Sequence, residues 1–118
     1  MEIKNENYGG FIVSKNIIYG KSIRYSFREK SSIPQLNGWN FYAIDEDEEY
    51  ISNSDNFIIL SAKSMYDINP IILALFHAPY GTDLCWLYEN DIHVGFYDLK
   101  LEREFSISEI LNRINKKR

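Results

Sequence analysis

The chain has 118 residues, of which 45% are hydrophobic and 15% aromatic, enough apolar surface for one folded domain and too little length for two of ordinary size. Thirteen Lys and Arg against 17 Asp and Glu leave a net charge of −4, which argues against the basic footprint that nucleic-acid binding needs. A single cysteine, Cys85, rules out an internal disulfide framework or a thiolate zinc cage, and no apolar run reaches the length of a membrane span.

The opening decapeptide MEIKNENYGG lacks a charged segment followed by an apolar core, so a soluble cytoplasmic protein is expected, one domain over residues 1–118 with residues 1–8 flexible. Phe11-Ile12-Val13 and Ile17-Ile18-Tyr19, with Ser14-Lys15-Asn16 between them, read as two short strands joined by a tight turn. From 22 to 28 the chain alternates, with Ile23, Tyr25 and Phe27 on one face and Arg24, Ser26 and Arg28 on the other, the pattern of a half-exposed strand. Residues 31 to 38, with Pro34 and Asn37-Gly38, read as a loop, and 39 to 44 as a further strand.

Phe57 to Leu60 is continuously apolar, which suggests a central strand covered on both faces. Asn69 and Pro70 suit the cap and first turn of a helix, and Pro79 ends that segment; Ile71 to Phe76 is apolar all round and is expected to be withdrawn from water. Residues 84–88 and 92–97 around Glu89-Asn90-Asp91 read as a hairpin. Ser106 and Glu109 form a capping box ahead of Ile107, Ile110, Leu111 and Ile114, so an amphipathic helix is expected within 105–118, with Lys116, Lys117 and Arg118 at the end its dipole favours. This order predicts an α+β fold: a mostly antiparallel sheet with one buried helix and a C-terminal amphipathic helix packed on it.

Charge is the least even feature of the chain. Between Lys30 and Lys63 there is no cation, while Asp45, Glu46, Asp47, Glu48 and Glu49 stand consecutively and Asp55 follows. Three readings of the run are open. Carboxylates are favoured at a helix start; the spacing Asp45-x-Asp47-x-Glu49 superficially resembles a calcium loop, although the central glycine and distal glutamate of such a loop are missing; and like charges held together suit a recognition surface for a basic partner. No nucleophile elbow, zinc-helix motif or phosphate loop is present, and His77 and His93 have no ligand or base partner at motif spacing. No cofactor and no metal are expected, and Cys85, between Leu84 and Trp86, reads as an inert thiol.

The strings GGFIVSK, GWNFYAIDEDEEY and NFIILSAKSMYDINPIILALFHAPYGTD, in this order, resemble a domain-of-unknown-function family classed among the immunity proteins of bacterial polymorphic toxin systems. The middle block is the most specific, and the resemblance spans residues 9–98; the chain departs from the usual pattern at Lys63-Ser64-Met65 and Phe76-His77. The resemblance implies a small non-catalytic α+β protein that binds and neutralises a cognate toxin. On that reading Asp45, Glu46, Asp47, Glu48, Glu49 and Tyr50 form the partner-binding surface, with no role for nucleic acid or membrane. The alternative is a small-molecule-binding or regulatory module whose concave sheet face, lined by Trp39, Tyr42 and Trp86, holds the ligand.

Overall fold

A continuous aromatic seam sets the architecture. Phe11, Phe41, Trp39, Trp86 and Phe96 meet ring to ring, with centroids 5.2 to 6.3 Å apart, and all five are buried in one core. The computed structural model describes residues 2–116. Among these, β1 (Gly10–Ser14), α1 (Lys15–Ile18), β2 (Ile23–Arg28), β3 (Leu36–Ala43), α2 (Glu48–Ser52), β4 (Phe57–Leu60), α3 (Ala62–Ile68), α4 (Ile71–Leu75), β5 (Asp83–Glu89), β6 (Ile92–Asp98), β7 (Arg103–Ser106) and α5 (Ile107–Lys116) follow in chain order. The strands form one sheet in the order β4-β1-β3-β2-β5-β6-β7. Every pairing is antiparallel except β1 with β3. The expected α+β class therefore holds.

Ile17 of α1, Ala62 and Met65 of α3, Ile72, Leu73 and Leu75 of α4 and Ile110 of α5 are buried in the same core as the aromatic seam. These four helices thus cover one sheet face. The helix expected to avoid water does so, since Ile72 and Leu75 are buried, and the Asn69 side chain accepts from the Ile71 N–H at 3.1 Å. The capping box is present as well: Glu109 N–H donates to Ser106 Oγ at 3.1 Å and Ser106 N–H to Glu109 Oε1 at 3.2 Å. Lys117 and Arg118 lie outside the described residues, as do the side chains of Ile114 and Lys116. The hairpin turns through Asn90 and Asp91, both at positive φ, a backbone that matches the twist of the flanking strands.

Arg28 fastens the segment after α4. Its Nη1 donates to the carbonyls of Phe76 and Ala78 at 2.7 and 3.0 Å and its Nε to Asn37 O at 3.0 Å, while the guanidinium lies 4.6 Å from the Tyr80 ring centroid. Trp39 Nε1 donates to the same Phe76 carbonyl at 3.1 Å. Carbonyls freed at the end of a five-residue helix are thereby satisfied by β2 and β3. Ahead of β1, Ile3 and Tyr8 pack against the core, and Asn37 Nδ2 donates to Tyr8 O at 3.0 Å.

Four expectations are corrected. Residues 17 to 19 do not return as a strand: both edges of β1 are occupied, by β3 and β4, and Ser14 instead accepts from the Asn16 N–H and starts α1, which buries Ile17. Phe57 to Leu60 is a strand, but an outermost one, with Ile58 40% and Ile59 61% exposed. The faces of β2 are exchanged beyond Ile23, because an irregularity in its pairing with β3 between Ile23 and Tyr25 rotates the chain; Ser26 is then buried, where it accepts from Trp86 Nε1 at 2.9 Å. The loop ends at Gln35, since β3 begins at Leu36 and takes in Asn37 and Gly38, the latter at φ +92 with the Glu29 carbonyl where a Cβ would stand. β7 and α3 are additions to the expected elements.

Asp98 supplies a stability test. Burial alone pushes its carboxyl up, but the Arg113 guanidinium at 2.8 Å and the N–H groups of Leu101 and Lys100 outweigh that and hold it below the usual carboxylate range. A lowered folded value means that this contribution is complete above the unfolded value, about 4, and is lost as pH falls through the folded one. Asp98→Asn is expected to lower unfolding free energy by about 2 kcal/mol at neutral pH, the scale of a hydrogen bond to a charged group. Denaturant titrations at pH 7 and under acid should show the gap between variant and wild type narrowing as pH falls.

Candidate functional site

The acidic run is a turn with an inside and an outside. After β3, Asp45 takes a left-handed backbone, φ 66, which reverses the chain so that Glu46 points back at the sheet. Its Oε1 accepts from the Ala43 N–H at 2.9 Å, and its Oε2 accepts from Asn16 Nδ2 at 3.0 Å and from the Ser14 hydroxyl. Asp47 then caps α2, its Oδ1 accepting from the Tyr50 N–H at 2.9 Å, and Glu48 and Glu49 fill the first turn, where unpaired N–H groups favour carboxylates. The Tyr50 hydroxyl lies 3.3 Å from Ser14 Oγ, its ring centroid 6.2 Å from that of Phe57, and its carbonyl accepts from Asn56 Nδ2 at 2.8 Å.

The six residues expected at the partner surface thus divide. Asp45, Asp47, Glu48 and Glu49 are exposed, whereas Glu46 and Tyr50 are half-buried and hold the turn down. Among the described residues, Asp45 to Glu49 make no ion pair; the pairs present are Lys63–Asp67, Arg103–Glu109 and Arg113–Asp98. The run also makes no cage, since no three His, Cys, Asp or Glu side chains among the described residues converge as metal ligands would.

The acidic turn stands beside the sheet face that the four helices leave uncovered. On this face Phe57, Tyr42, Tyr25 and Phe27 form a connected aromatic strip, with centroids 5.4 to 5.8 Å apart. The phenols stay protonated: burial, then the hydrogen bond to Asp83, push Tyr25 well above its ordinary value, and burial with the nearby Glu29 and Glu46 carboxylates pushes Tyr42 up. Burial also raises the Cys85 thiol, opposite Tyr25 in the ladder, which keeps it a poor nucleophile.

The proposed small-molecule concavity is not formed. Trp39 and Trp86 are 1% and 0% exposed in the core, while Tyr42, three positions along β3 from Trp39, lies on the opposite face. Nor do the histidines build a catalytic pair. His93 stacks on Trp86 at 4.5 Å with its Nε2 2.9 Å from the Gly95 carbonyl, and burial lowers its pKa; His77 is exposed against the edge of Phe76. Ser14 and Asn16, which read from sequence as turn residues, instead orient Glu46. They lie more than 25 positions before it, and nothing local marks either as its partner.

The model of the immunity protein Imm33 domain family matches residues 11–100, most of the chain and nearly the span over which the resemblance was read. No curated protein and no solved structure matches the chain.

If Glu46 is the clasp, Glu46→Gln keeps the acceptor for Ala43 but loses those for Ser14 and Asn16. The expected cost is about 2 kcal/mol, the range for hydrogen bonds to a charged group, read as a lower denaturation midpoint at unchanged slope. Amide exchange should quicken at 45–52 more than in β5 and β6. An unchanged midpoint would show that the turn holds without its inward carboxylate.

Proposed function

The chain belongs to the Imm33 immunity protein domain family, and from that premise we propose that it is a cytoplasmic protein that neutralises a cognate bacterial toxin by binding it, through the acidic turn and without chemistry of its own. The observation that carries this reading is the arrangement of Asp45, Glu48 and Glu49: exposed, close in sequence, and with no cation between residues 31 and 62 to answer them. Like charges held together at a rigid turn repel one another, and an opposing basic surface relieves that repulsion.

The turn is also held before any partner arrives. Glu46 ties it to β1 and α1, Asp47 caps the helix that follows, and Tyr50 packs toward Phe57. A preorganised surface loses less conformational entropy on binding than a loose one. Charge complementarity of this kind acts chiefly on the encounter rate and on partner choice.

The test uses the C-terminal domain of the protein encoded by the adjoining gene and compares wild type with Asp45→Asn/Glu48→Gln/Glu49→Gln at two ionic strengths. These three carboxylates are exposed, so folding stability should change by less than about 1 kcal/mol. Association should slow about tenfold at low salt and lose most of its salt dependence, with dissociation little altered. Equal association rates and equal salt slopes would remove the acidic turn from recognition.

A further inference from the structure

We propose that the free edge of β4 is where the partner's backbone docks, as an extended, basic segment of the toxin that joins the sheet beside β4. This rests on the immunity reading above and specifies how the partner is held. Among the described residues β4 is outermost in the sheet and pairs only with β1. Backbone groups of an antiparallel strand point alternately to either side, so the outward set on β4 stands ready for another strand.

The two sheet edges differ in a way that singles out β4. Its residues, Phe57-Ile58-Ile59-Leu60, include no charge and no proline, and Ile58 and Ile59 are exposed. At the far edge β7 carries Arg103 and Glu104, with Arg103 bonded to Glu109 of α5 at 2.9 Å and Ser106 taken up in the helix cap. Charged, occupied edges are how folded proteins discourage strand addition. β7 has this protection and β4 does not.

Charge identifies the occupant. Glu48 and Glu49 in the first turn of α2 and Asp55 in the segment between α2 and β4 are all exposed, and the first cation after β4, Lys63, is bonded to Asp67 at 2.8 Å. An incoming strand therefore meets an anionic flank, and lysine or arginine at alternate positions would answer it. A second copy would bring its own acidic turn to the same edge and add like charge. Beside β4, a depression on the uncovered face, lined by Ile12, Tyr42, Ile51 and Phe57 with Asn40, Ser52 and Ser54 at its polar part, can take a side chain of the incoming segment. Backbone pairing supplies affinity in this mode, and alternate side chains supply selection.

The experiment has two arms. Isotope-labelled wild type is titrated with the peptides Lys-Val-Lys-Val-Lys-Val-Lys and Glu-Val-Glu-Val-Glu-Val-Glu, following backbone amide shifts and exchange. The basic peptide is expected to shift residues 57–60 and to slow their exchange severalfold, and the acidic one to leave them unchanged. Ile59→Lys and Ile59→Glu are then measured against the toxin domain, both at a site that is 61% exposed. The lysine variant should lose at least tenfold in affinity, mainly through faster dissociation, and the glutamate variant clearly less; a folding defect would affect both alike. Toxin binding undiminished in Ile59→Lys, or equal losses in the two variants, would overturn the edge proposal and leave the immunity reading standing. So would a dimer of the protein alone that Ile59→Lys abolishes, since the edge would then belong to a second copy. Failure of wild type to bind the toxin would end the immunity reading and this inference with it.

Discussion

One carboxylate organises the surface on which the functional account depends. Glu46 turns away from its four acidic neighbours and takes hydrogen bonds from the end of β3 and from the junction of β1 and α1. Bonds to a charged acceptor are among the stronger ones in a folded protein, and here they fix a turn whose remaining carboxylates repel one another. Asp45 makes the geometry possible. Its left-handed backbone, tolerated better by Asp than by most residues, reverses the chain so that a residue in the middle of a charge run faces inward. Glu46 holds the turn to the sheet and Asp47 caps the helix that follows, while Asp45, Glu48 and Glu49 face solvent.

The sheet gives that turn its base. Four helices bury one face over an aromatic seam, and the opposite face keeps its own strip of rings open beside the acidic loop. Segregation of this kind follows from strand alternation: in β3, Trp39 and Phe41 enter the core while Asn40 and Tyr42 face away from it. α2, too short to bury a stripe of its own, contributes no residue to the core and rests on capping and on Tyr50 instead. The anionic turn meets the aromatic strip where Tyr50 lies beside Phe57 of the edge strand β4, and the four helices pack on the other face.

Much of this was legible in the residues, and the failures have physical causes. The capping box at Ser106, the hairpin around Asn90 and the apolar α4 were readable because each depends on local chemistry. The position of β4 was not, because a run such as Phe57-Ile58-Ile59-Leu60 reads alike whether neighbours cover it or leave it at an edge. Ile17 and Ile18 look like strand residues until the pairing of β1 with β3 and β4 fills both edges. The irregularity after Ile23 exchanged two faces that alternation alone had assigned, and β7 escaped because Arg103 and Glu104 hide its single buried residue, Phe105. At the acidic run, sequence showed the charges but not which one turned inward, since the donors that hold Glu46 come from a strand and helix far earlier in the chain.

The central claim is that the partner engages the side of the molecule built by the acidic turn and β4. Hydrogen exchange of the protein alone and in complex with the toxin domain tests it most directly. The account predicts new protection concentrated at residues 45–60, with α3, α4 and α5 unchanged. Protection confined to those helices, with 45–60 exchanging as in the free protein, would contradict it.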